Sequence, residues 1–92
     1  MNENTLNAKV LFEEGELMKS LELLNSSINQ NPDDVMALLL RARVSYRMQK
    51  WGDAINDFAS VLDIDANNQE AKSGMEMAQN ILGYFTPDMF NP

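Results

Sequence analysis

Apolar positions along this chain recur with the 3.6-residue period of a helix, and no segment alternates with the two-residue period of a strand. Leu6, Val10 and Leu11 fall at i, i+4 and i+5 with Phe12 beside them, while Asn4, Asn7, Glu13 and Glu14 take the other face. That pattern predicts a short amphipathic helix over residues 4–14, with Gly15 suited to a left-handed stop. Leu17, Leu21, Leu24 and Ile28 then predict a second helix over 16–30. Asn31-Pro32-Asp33-Asp34 ends it: Pro steers the residue before it away from helical geometry, and either aspartate can accept from the free N–H groups of the next turn.

The third predicted helix, 35–48, carries Leu38, Leu39, Leu40, Ala42, Val44 and Met48, an apolar surface too wide for one stripe, so neighbours should cover it from more than one side. Trp51, Ile55, Phe58 and Leu62 predict a fourth helix over 51–64, and Asp65-Ala66-Asn67-Asn68 links it to a fifth over 69–82. That last helix places Ala71, Met75, Ala78 and Leu82 on one side and accepts Gly74 in its interior, at about 1 kcal/mol relative to Ala.

Shifting the sequence by 34 residues superimposes Leu6 on Leu40, Ala8 on Ala42, Val10 on Val44 and Ser26 on Ser60. Similar pairs fill the same register: Phe12 with Tyr46, Leu17 with Trp51, Ser20 with Ala54, Leu21 with Ile55, Leu24 with Phe58 and Ile28 with Leu62. Two helices per period of this length are the mark of a helical solenoid. The small residues Ala8, Ser20, Ala42 and Ala54 let paired helices approach closely, and Leu24 or Phe58 fills the space that remains.

On these residues the chain resembles the tetratricopeptide repeat proteins. Trp51-Gly52-Asp53-Ala54-Ile55 and Leu62-Asp63-Ile64-Asp65-Ala66-Asn67-Asn68 sit where that family has its second small residue and its exit segment, with Ala8, Gly15, Ser20, Leu24, Ser27 and Pro32 matching in the first repeat. Asn7 and Arg41 stand where the family usually has Leu, Ser45 where it has Tyr, and Ala66 where it has Pro. The resemblance implies an all-α fold, a right-handed α-α superhelix of five antiparallel helices. It divides the chain into a repeat domain over 1–83 (repeats 1–34 and 35–68, capping helix 69–83) and an apolar C-terminal tail over 84–92.

Composition narrows the chemistry. Cys and His are absent, which removes thiol nucleophiles, disulfides, imidazole bases and the common zinc sites. Fourteen acidic against seven basic residues give a net charge of −7, which opposes an extended nucleic-acid surface. The carboxylate pairs Asp53/Asp57 and Glu13/Glu14 lie at the spacing of solvated helix faces, and Asp63-Ile64-Asp65 lacks the glycine and terminal Glu of a calcium loop. We therefore expect no enzyme, no cofactor and no metal. No apolar run reaches the roughly 20 residues of a membrane span, and the start lacks the features of a signal peptide. The expected location is cytoplasmic, with no membrane partner.

The family resemblance implies a concave groove, lined by the first helix of each repeat, that takes an extended peptide or a partner helix. Its positions fall here on Asn2, Thr5, Lys9 and Phe12, then Met36, Leu39, Leu40, Arg43, Tyr46 and Arg47, then Glu70, Ser73, Gly74 and Met77. Lys9, Arg43 and Arg47 beside Tyr46 suit a carboxylate or an acidic peptide, unless these bases pair between repeats with acids such as Glu13. The family's two-carboxylate clamp would require basic and amide side chains where this chain has Thr5, Lys9, Leu40, Glu70 and Gly74, so that chemistry is not expected.

The tail holds Tyr84, Phe85, Met89 and Phe90, too apolar for a solvated end, and is expected to fold over the fifth helix as a cap. The expected function is a non-enzymatic interaction module for a protein or peptide. The alternative is weak homo-oligomerisation through the solenoid ends or the tail.

Overall fold

A computed structural model describes residues 2–85, and these form five helices and no strand: α1 (Glu3–Glu13), α2 (Leu17–Gln30), α3 (Val35–Arg47), α4 (Trp51–Ile64) and α5 (Gln69–Phe85). Successive helices pack against each other, and α3 also meets α1 and α5. The third helix is therefore covered from several sides, which is why Ala37, Leu38, Leu39, Leu40, Ala42, Val44 and Ser45 are all buried.

The 34-residue register extends to the backbone. Gly15 takes φ +82°, and Gln49, one period later, takes φ +62°. At the first turn Gly15 N donates to Phe12 O and Glu16 N to Leu11 O; at the second Gln49 N donates to Tyr46 O and Lys50 N to Ser45 O, with the same distances of 3.0 and 2.8 Å. Both hairpins close by one geometry, although only the first has the glycine that geometry favours. The helix starts repeat as well. Asp34 Oδ1 accepts from Ala37 N at 3.2 Å, and Asn68 Oδ1 accepts from Ala71 N at 2.9 Å.

Ala8, Ser20, Ala42 and Ala54 are fully buried, as close helix pairing requires. Ser20 keeps its hydroxyl in this apolar seam by donating to the carbonyl of Ala8 at 2.7 Å. Leu24 is fully buried and Phe58 nearly so.

Two expectations are corrected. Only part of the apolar stripe of α1 faces the core: Phe12 packs against it, but Leu6 and Val10 are 51% and 53% exposed, and the buried residues of this helix are Thr5 and Ala8. Their counterparts Leu40 and Val44 are 3% and 0% exposed. The side chains are identical, so the difference lies in the neighbours: α3 has the preceding helices α1 and α2 packed on it, and α1 has no counterpart to them among the described residues. The fifth helix also runs past Leu82 to Phe85, taking in Gly83, Tyr84 and Phe85. The expected cap formed by the rest of the tail lies outside the described residues.

Candidate functional site

Among the odd-numbered helices, α3 touches both α1 and α5, so the three form a contiguous row. Two side-chain contacts tie this row together. The guanidinium of Arg47 lies over the ring of Phe12, 5.3 Å from its centroid, joining α3 to α1. Arg43 pairs with Glu70, Nε to Oε2 and Nη2 to Oε1, joining α3 to α5. The hydrogen bond to Glu70 raises the pKa of Arg43 above its ordinary value, against an opposing effect of burial.

The expected groove residues separate into three groups. Thr5, Leu39 and Leu40 are buried, so they present no surface to a partner. Thr5 turns toward α2, where its hydroxyl lies 3.2 Å from that of Ser27, and Asn2 both caps α1 at Thr5 N and donates to Ser27. Phe12, Arg43 and Tyr46 are half-buried and engaged within the fold; the Tyr46 ring meets Trp51 edge-to-face, with centroids 5.0 Å apart. Lys9, Met36, Arg47, Ser73 and Met77 are exposed.

Of the two expectations for these bases, a free basic cluster or pairing with acids of a neighbouring repeat, each describes part of the row. Arg43 is neutralised by a carboxylate of the same row, and Arg47 reaches across to Phe12 instead of pairing with Glu13. Lys9 and Arg47 remain as the basic groups beside α1, and Met36 on α3 and Met77 on α5 supply adaptable apolar surface.

Sequence reasoning missed a second polar assembly on the other side of α3. Arg41 Nε and Nη2 each donate to Asp57, both at 2.8 Å, and Nη1 donates to Asn25 Oδ1 at 3.0 Å. One side chain of α3 thus joins α4 to α2, the last helix of the preceding repeat. The hydrogen bond to Asp57 is the leading cause that raises the pKa of Arg41. The signal lay in the repeat itself: Asn7 and Leu23 of the first repeat become Arg41 and Asp57 in the second, so both positions turn charged together.

Asp65, in the segment that lacks the glycine and terminal Glu of a calcium loop, accepts from Asn67 N at 3.2 Å and Asn68 Nδ2 at 3.4 Å, an arrangement that closes the turn after α4. Among the described residues no three carboxylates converge as metal ligands, and no helix is long and apolar enough to cross a membrane.

No family model and no solved structure matches the chain. It is similar to proteins named tetratricopeptide repeat protein 16, from Homo sapiens and from Macaca fascicularis, each 32% identical over 77 residues. The match covers 84% of this chain but 9% of each relative, so the similarity concerns a short stretch of much longer proteins. That stretch coincides with an all-helical fold whose hairpin turns, caps and small-residue seams repeat every 34 residues, and the chain belongs to the tetratricopeptide repeat family.

Proposed function

We propose that this chain is a non-enzymatic scaffold that binds a peptide or partner protein in a concave groove formed by α1, α3 and α5. The observation that carries the reading is the row of odd-numbered helices, fastened from within by Arg47 on Phe12 and Arg43 on Glu70, with Lys9, Met36, Arg47, Ser73 and Met77 left open along it. A surface that is already held together loses little freedom on binding, and its methionines can adapt to a partner's shape. Lys9 and Arg47 favour an acidic segment beside α1, and Met36 on α3 and Met77 on α5 favour apolar side chains. Thr5, Leu39 and Leu40 act beneath this surface as its support. The cytoplasm is the proposed location, with which the absence of cysteine is consistent.

The test is recovery of partners from native lysate with the wild type, a Lys9→Glu/Arg47→Glu variant and a Met36→Glu/Met77→Glu variant. Prey lost with both variants, yet kept by an Asp63→Lys variant on α4, supports the groove. Prey kept by all of them removes it.

A second reading has its own observation. Leu6 and Val10 stand half in water on α1, where the identical residues of the next repeat are buried, and on this reading that exposed face joins two copies of the chain.

A further inference from the structure

Where α2 and α4 diverge over α3, they enclose a crevice of about 300 Å³, on a different side from the proposed groove. Its floor includes Ser45, a residue only 3% exposed. The Ser45 hydroxyl has no hydrogen-bond partner among the described residues, and its oxygen is not sealed away, so it opens into the space it lines. The residue is almost entirely buried while its hydroxyl makes no hydrogen bond within the fold, so the crevice is where that hydroxyl can meet a partner.

The rest of the lining says which partner. Asp57, 5% exposed, accepts both of its hydrogen bonds from Arg41, and Asn25 Oδ1 accepts from the same guanidinium. These acceptors are engaged. Asp53 and the carboxamide of Asn56 also line the crevice and make no side-chain hydrogen bond among the described residues, although the Asp53 charge acts on Arg41 from a distance. The open acceptors are thus one carboxylate, one amide oxygen and one hydroxyl. With Arg41 positive and Asp53 and Asp57 negative, the lining holds one excess negative charge. Leu21 supplies an apolar wall.

We propose that this crevice binds a primary alkylammonium group. An ammonium carries three N–H donors and no acceptor, and the carboxylate, amide oxygen and hydroxyl of the lining can all accept from it. Its charge answers the excess carboxylate, and its alkyl stem can lie along Leu21. A quaternary ammonium has the charge without the donors, and an anion would meet Asp53. The crevice is about the size that holds a side chain or a small amine. The chemistry can come from a lysine side chain of a partner or from a free amine.

The experiment is titration of the full-length 15N-labelled chain at constant ionic strength, following the side-chain amides of Asn25 and Asn56 and the Nε–H of Arg41. The probes are n-butylammonium, N-acetyl-lysine amide and tetramethylammonium. Saturable shifts with the first two and none with the third support the site; the tighter of the two binders then identifies a free amine or a lysine side chain as the source. Asp53→Asn, an exposed substitution that leaves the fold intact, should weaken binding by about tenfold, and Ser45→Ala by about threefold. Shifts equal to those with tetramethylammonium, or undiminished in Asp53→Asn, overturn the proposal. The proposed groove does not depend on this outcome, because neither Asp53 nor Ser45 belongs to it.

Discussion

The ring of Phe58 on α4 lies directly over Gly74 on α5, so close that a Cβ placed on the glycine would stand 2.6 Å from Cε2 and 2.8 Å from Cε1. The glycine in the middle of α5 therefore has a reason that helix propensity alone hides. Phe58 fills the space between repeat and capping helix, and only a residue without a side chain lets it do so.

Propensity and packing make opposite predictions for Gly74→Ala. An alanine gains about 1 kcal/mol in helix propensity, whereas forcing an extra carbon into a filled contact costs about 1–3 kcal/mol. The ring is aromatic and enclosed, so the clash should win and urea denaturation should show a net loss of stability. Phe58→Ala should cost about 3–5 kcal/mol on its own. Adding Gly74→Ala to Phe58→Ala should then be stabilising, a reversal of sign that a double-mutant cycle would detect.

Arg41 and Asp57 form a pair that is strong only while complete. Arg41→Leu restores the residue usual in this family, yet it leaves Asp57 buried without its guanidinium and should destabilise by about 3–5 kcal/mol. Replacing both, with Asp57→Leu borrowing Leu23 from the equivalent place in the first repeat, should recover most of that loss. If thermal unfolding places the single and double variants at the same midpoint, the carboxylate is not held as the structure describes.

Gln49 occupies the left-handed turn that Gly15 occupies one repeat earlier. Left-handed geometry costs a residue with a side chain roughly 1–2 kcal/mol, part of which the greater freedom of an unfolded glycine cancels. Gln49→Gly should therefore stabilise the chain by about 0.5–1 kcal/mol. Gly15→Ala should destabilise it although nothing lies within 4 Å of the missing Cβ, because the penalty is in the backbone.

If the α1 end mediates self-association, light scattering on the wild type should show a mass that rises with concentration, and Leu6→Glu/Val10→Glu should hold the chain at the monomer mass. These residues are half in water, so the substitutions should leave the melting temperature of the monomer within a degree or two. A wild type that stays monomeric at every concentration removes the self-association reading.

The sequence by itself determined the all-helical architecture, the 34-residue repeat, the turns at Gly15 and Pro32, the small-residue seams and the filling role of Phe58. All of these are local or periodic: a helix follows from spacing along the chain, and a repeat from comparing the chain with itself. What decides the face of a helix is the set of neighbours it meets, and that set is tertiary. Leu6 and Leu40 are the same residue in the same register, yet one is half in water and the other buried, because α3 has a preceding hairpin packed on it and α1 has none among the described residues. Thr5, Leu39 and Leu40 pass from expected groove to core for the same kind of reason. The partners of the arginines also had to await the fold. Glu70 lies 27 residues from Arg43 and Asp57 lies 16 from Arg41, separations at which only helix packing determines which carboxylate comes within reach.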